Sequence, residues 1–169
     1  PDRTLCMTAA QKSRAQDPTQ QRARVNGIEL TWFEWGRALR GRKPSILFVH
    51  ATGFHARVWG EVIRHLGERH VIAVDQRGHG RSEKAAIQHW REMGEDLSAL
   101  VGELAVKDAI GVGHSMGGHA LTQAAAACPG AFRRLLLIDP VIASPRDYDQ
   151  RTRDAATLAD RLHPIARRK

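Results

Sequence analysis

The amino-acid sequence predicts an α/β fold, a mainly parallel doubly wound sheet covered by helices on both faces. Three observations predict it. Four short apolar runs, at 46–49, 71–74, 109–112 and 135–138, have the length of strands, and the first two are continuous enough to be buried on both faces. Between the first three runs lie segments whose apolar residues recur at helical spacing, and an alanine-rich helical run separates the third from the fourth. Each run ends in a segment rich in glycine, histidine or aspartate, where an open parallel sheet binds ligands. Strands and helices alternating in this way require βαβ crossovers.

In chain order, residues 1–21 are polar and without period, and read as a tail. Val25-Asn26-Gly27-Ile28 places an Asn-Gly pair between β-like segments, the signature of a tight hairpin. Ile28, Leu30 and Trp32 alternate onto one face of the strand that follows. Residues 36–44 are rich in glycine and arginine and read as a loop. After the 46–49 strand, Val58, Trp59, Val62, Ile63 and Leu66 fall on one side of a helix, with Gly67 as its stop. Trp90, Met93, Leu97, Leu100, Val101 and Leu104 mark a second amphipathic helix. Ala120–Ala127 marks a third, stopped by Pro129-Gly130. Arg151–Leu162 opens a polar helix with Ala155, Leu158 and Leu162 on one side.

Composition narrows the class. With 42% apolar and 26% charged residues the 169-residue chain has the balance of a globular domain. Its net charge is +8, mostly from scattered arginine. No zinc-ligand spacing or nucleic-acid motif accompanies that charge, so it reads as a solvated surface and no nucleic-acid partner is expected. Cys6 and Cys128 stand far apart without a disulfide framework, which suits reduced thiols and a cytoplasmic setting. No apolar run approaches the ~20 residues of a membrane span, so no membrane partner is expected. The chain opens on Pro1, with Met7 inside it, and closes on Arg167-Arg168-Lys169. It is expected to be part of a longer chain.

The chemistry concentrates at Gly113-His114-Ser115-Met116-Gly117, a G-x-S-x-G sequence at a strand-to-helix junction. Glycines two places before and after Ser115 suit a turn too tight for a Cβ. A serine exposed on such a turn is a nucleophile once a base removes its proton and an acid holds that base. The oxyanion formed on the substrate needs N–H donors, and that of Met116, the residue after the serine, is placed for this.

With His50-Ala51-Thr52-Gly53-Phe54 and Asp75-Gln76-Arg77-Gly78-His79-Gly80-Arg81-Ser82 in order before the elbow, the chain resembles the α/β-hydrolase family over about Val25–Leu162. The resemblance implies Ser115 as nucleophile and the N–H groups of Thr52 and Met116 as the oxyanion hole. It further implies a small acyl substrate, cleavage of an ester or related bond through an acyl-enzyme, and no cofactor or metal. Ala51 departs from the family's usual glycine but leaves the Thr52 N–H available. Epoxide and haloalkane hydrolases resemble the family too, but carry aspartate where this chain has Ser115. Family order places the acid and then the histidine after Ser115, on strands that would lie beyond Lys169. A core over 22–145 is thus expected to be truncated before its last strands, with the start of a lid over 146–169. The chain alone is expected to be inactive for want of its histidine. Asp139, ending the 135–138 strand, occupies the position where some family members carry their acid, though an aspartate before proline more often fixes a turn. His163 is the one histidine beyond the elbow helix. His50 and His114, with Asp75, Arg77 and His79, read as loop supports.

Two other readings compete. Gly111-Val112-Gly113-His114-Ser115-Met116-Gly117 loosely matches a dinucleotide-binding loop, but at least three strands precede it and no suitable acid follows at the required distance. A catalytically inactive hydrolase-like binding module is the second. If the final strands are missing, the 135–138 strand is an open sheet edge, and self-association is expected.

Overall fold

The computed structural model describes residues 17–142. Six strands form one sheet: β1 (Thr19–Val25), β2 (Ile28–Trp35), β3 (Ile46–Val49), β4 (Val71–Asp75), β5 (Ala109–His114) and β6 (Phe132–Ile138). Their order across the sheet is β1-β2-β4-β3-β5-β6. The pairs β4–β3, β3–β5 and β5–β6 are parallel, while β1–β2 and β2–β4 are antiparallel. The sheet is therefore mixed, and its parallel half carries the elbow.

The hairpin closes where the Asn-Gly pair places it. Val25 pairs with Ile28, and Asn26 and Gly27 both adopt positive φ (47° and 81°), as the mirror-image hairpin turn demands. β1 nevertheless begins at Thr19, so residues 19–21 belong to the sheet rather than to the tail. As an edge strand β1 is covered on little of its surface, and its polar residues hide the two-residue period. The rest of the tail, the 146–169 segment with the helix predicted over 151–162, and His163 lie outside the described residues.

The continuity of the central runs follows from two-sided burial. Leu47, Val49, Ile72 and Val74 pack on one face with Ile28, Leu30 and Trp32 of β2, against α2 (Arg91–Glu103) and α3 (Met116–Ala127). Met93, Leu97, Leu100 and Val101 of α2 and Ala120, Leu121 and Ala124 of α3 complete this core. Ile46, Phe48, Val71 and Ala73 point to the other face, onto Phe33, Trp35, Trp59 and Ile63.

The segment after β3 differs from the continuous helix predicted. A 3-10 turn over Ala56–Trp59 runs into α1 (Gly60–Arg64), which ends before Gly67. Trp59 and Ile63 are buried, but Val58 and Val62 are exposed. The switch from three to 3.6 residues per turn keeps Ala56, Trp59 and Ile63 on the sheet, with Leu66 partly buried beside them, and turns Val58 and Val62 outward.

β6 is an edge among the described residues, with Leu136 57% and Ile138 41% exposed. An edge strand with apolar side chains facing water templates pairing with another chain. The chain is expected to show concentration-dependent self-association in sedimentation velocity, reduced by Leu136→Lys. A concentration-independent monomer would contradict it. Among the described residues, no helix is long and apolar enough to cross a membrane.

Candidate active site

β5 runs into α3 through a single residue, Ser115. Its backbone sits at φ 51° and ψ −117°, outside both strand and helix regions. This strained conformation is tied down on both sides. The Ser115 N–H donates to the Ile138 carbonyl (3.0 Å), and the Ser115 carbonyl accepts from the N–H groups of Val141 and His119 (both 3.2 Å). The flanking glycines are required by contact. A Cβ on Gly113 would lie 2.7 Å from the Gly117 carbonyl oxygen and 2.8 Å from Gly118. One on Gly117 would meet the Val49 and His50 carbonyls. The chain thus turns with α3 pressed directly onto the end of β3.

That packing brings the two halves of the predicted oxyanion hole together. Thr52, in the loop after β3, donates its hydroxyl to the Met116 sulfur at 3.3 Å. Among the described residues, neither the Thr52 nor the Met116 N–H donates a hydrogen bond. Met116 opens α3, where the first N–H groups have no helical partner.

His50 shapes the same loop from below. It is fully buried, its Nδ1 within 2.8 Å of the Ala51 carbonyl, while its Nε2 accepts from the Gln76 N–H (3.1 Å). The tautomer follows: Nδ1–H donates to Ala51 and Nε2 has no proton. Gln76 returns a bond from its side-chain amide to the His50 carbonyl (2.7 Å). Burial pushes the imidazole down to about 3, against a smaller opposing effect of the Ala51 bond, with His79 and His55 nearby further disfavouring a proton. His50 is therefore a neutral strut.

Asp75, Arg77 and His79 are struts as well. The Asp75 carboxylate accepts from the Ala56 N–H (2.5 Å) and the Arg81 N–H (2.7 Å), joining the loops after β3 and β4. Arg77 holds Asp96 of α2 through Nε (2.7 Å) and a second guanidinium nitrogen (3.1 Å). The Asp96 bonds raise its already high pKa. Asn26 in the hairpin turn also reaches Asp96 (3.1 Å). His79 donates to the Arg77 carbonyl (2.8 Å), and burial lowers its pKa.

Asp139 lies beside the elbow. It is exposed at φ 42°, between Ile138 and Val141, two of the residues that bond the Ser115 backbone. Among the described residues its carboxylate pairs with no cation or imidazole. His119, one turn into α3, was not singled out by the sequence. Its Nδ1 lies 3.1 Å from the Val141 carbonyl and its ring meets Trp90 edge to face. It fastens the segment after β6 to the elbow helix, a long-range pairing without a local signal. No imidazole among the described residues hydrogen-bonds Ser115 Oγ. Cys128 is a free thiol, and no cluster of His, Cys, Asp and Glu among the described residues could hold a metal ion.

Comparison with known proteins agrees with this fold. Residues 46–168 match the model of the alpha/beta hydrolase family. The chain is 38% identical over 128 residues to the dihydrolipoyllysine-residue acetyltransferase component of an acetoin cleaving system from Pseudomonas putida, covering 73% of this chain and 33% of that one. It is 33% identical over 138 residues to esterase Rv0045c of Mycobacterium tuberculosis, covering 77% of this chain and 43% of the relative. The chain thus spans between a third and a half of the length of these relatives. In three dimensions it resembles the haloalkane dehalogenase DatA of Agrobacterium tumefaciens, with a TM-score of 0.67 at 21% identity over 80% of this chain and 48% of the dehalogenase. The dinucleotide-loop reading has no place in this topology, because Gly111 and Gly113 lie within the fifth strand in sequence and Gly117 in the helix after it, whereas such a loop follows the first strand. The chain belongs to the alpha/beta hydrolase family.

Proposed function

We propose that the protein of which this chain forms part is a serine hydrolase that cleaves an ester or related acyl bond. One observation carries the reading. Ser115 is held at φ 51° between β5 and α3, by glycines that leave no space for a side chain. Such strain persists only where surrounding contacts over-determine it, and it sets a hydroxyl at the mouth of a parallel sheet.

In this mechanism Ser115 Oγ attacks the acyl carbon and its proton passes to a base. The carbonyl oxygen gains charge between the N–H groups of Thr52 and Met116, which have no partner among the described residues. Each such donor is worth roughly 10²–10³ in rate. Collapse of the tetrahedral species releases the alcohol and leaves an acyl-enzyme that water hydrolyses. The base is assigned to a residue outside those described, since no imidazole among the described residues hydrogen-bonds Ser115 Oγ and His50, His79 and His119 make structural bonds. Asp139 is the candidate acid within them. The similarity to a dehalogenase is one of fold, and serine at the nucleophile position favours acyl over alkyl transfer.

A fluorophosphonate probe tests the reading on this chain. Slow labelling at Ser115, abolished in Ser115→Ala and accelerated by added imidazole, is the expected result. Fast labelling without imidazole would place a base within the 169 residues. No labelling even with imidazole would favour a binding module built on a hydrolase scaffold.

A further inference from the structure

The parallel strands have a second end, and it is strongly cationic. β5 and α3 meet at the carboxyl end of the sheet. At the amino end, the loop before β3, the turn before β5 and the start of β6 enclose a cleft of about 410 Å³. Its lining includes Arg40, Arg42, Lys43, Lys107 and Arg133, with Asp108 as the single carboxylate. We propose that this cleft binds a small phosphorylated ligand, through a pyrophosphate or phosphomonoester group, at a site separate from Ser115.

The charge is not neutralised within the cleft. Asp108 is occupied by Arg133, which grips it through two nitrogens at 2.9 and 2.8 Å. Arg40 reaches across to the Leu104 and Ala105 carbonyls at the end of α2, neutral partners that fix its guanidinium without cancelling its charge. Arg42, Lys43 and Lys107 have no carboxylate partner among the described residues. A flat surface lets such cations spread into solvent, whereas a concave one holds them together and focuses their field. An anion in the cleft would relieve that repulsion, and guanidinium groups offer phosphate paired N–H donors.

The floor is built from polar groups. Ser45, half-buried, lies 2.7 Å from Nδ1 of His70, and Nε2 of the buried His70 lies 2.8 Å from the Glu34 carboxylate. Nε2–H donates to the Glu34 carboxylate, and Nδ1 shares the second bond with the Ser45 hydroxyl. Glu34 is the negative charge closest behind this floor, and Arg37 approaches it at 3.8 Å. The imidazole separates Glu34 from the cleft. The volume is that of a small-ligand pocket, too small to enclose a folded partner.

Isothermal titration of the 169-residue chain with inorganic pyrophosphate at low ionic strength tests the proposal. Saturable one-to-one binding is expected, weakened by added salt. The double variant Arg42→Ala/Lys43→Ala should weaken it by about tenfold or more, since charge-assisted bonds to phosphate are lost. Both side chains are exposed, and an unchanged thermal melt in the absence of ligand checks the fold. Arg24→Ala, an exposed cation on β1, and Ser115→Ala should bind like the parent. Vesicles containing phosphatidic acid, against phosphatidylcholine alone, separate the two sources of the same chemistry. Cosedimentation lost in the double variant assigns a lipid headgroup, and pyrophosphate binding without cosedimentation assigns a soluble ligand. Unsaturable binding, or equal binding by parent and double variant, would overturn the site.

Discussion

Gly117→Ala is expected to destabilise the chain by about 3 kcal/mol or more, at or above the upper end of ordinary overpacking. The added methyl would meet the Val49 carbonyl oxygen, the His50 carbonyl oxygen at 2.5 Å and the Val49 carbonyl carbon at 2.6 Å. All three are backbone atoms at the end of β3, in the middle of the sheet, so no side chain can swing aside. Relief requires α3 to lift from β3. That movement would draw Met116 away from Thr52 and open the candidate oxyanion hole, so site and stability fail together. Gly60→Ala is the matched control. Gly60 opens α1 with nothing within 4 Å of its virtual Cβ, and alanine there should be neutral or stabilising by up to about 1 kcal/mol. Urea unfolding measures both, and coincident curves for Gly117→Ala and the parent would refute the close approach.

The same contact explains what the sequence could and could not disclose. G-x-S-x-G is a local pattern, and the glycines it requires are consequences of a local turn, so the elbow was readable. So were the hairpin at Asn26-Gly27 and the doubly buried β3 and β4, whose chemistry is contained in six residues or fewer. The strand order was not. Nothing in residues 28–35 states that β2 pairs antiparallel with β4 rather than with β3, because that choice is made by long-range burial of Phe33 and Trp35. β1 was hidden because an exposed edge needs no apolar period. The outward turn of Val58 and Val62 depends on a 3-10 segment, whose period mimics a helix over so short a stretch. The roles of Asp75 as a tie between loops and of Arg77 as a tie to α2 rest on partners 19 residues away, Ala56 and Asp96. The meeting of Thr52 with Met116 was implied by family likeness, and depends on a glycine that lets two elements touch.

Acidification should destabilise the chain well before its carboxylates titrate, and His50 is the principal cause. An imidazole in the unfolded chain takes a proton near 6.5, whereas the buried His50 resists protonation until about 3. Between these values the unfolded state binds the extra proton, so stability rises with pH across that window. The contribution is present in full above 6.5 and is lost as pH falls toward 3. Each unit of difference is worth about 1.4 kcal/mol, so the whole window amounts to at most about 5 kcal/mol. That is comparable to the entire stability of many domains, about 5–15 kcal/mol. His79 and His119, also lowered by burial, act with the same sign. Protonating His50 requires its release from Ala51 and Gln76, the bonds that brace the loop bearing Thr52. Thermal melts from about pH 8 to about pH 5 should show Tm falling steadily below about pH 6.5. His50→Gln, which cannot titrate, should melt lower at pH 8 but with a shallower fall. A parent Tm flat across this range, or an equal slope in the variant, would show that His50 is not the proton-sensitive strut.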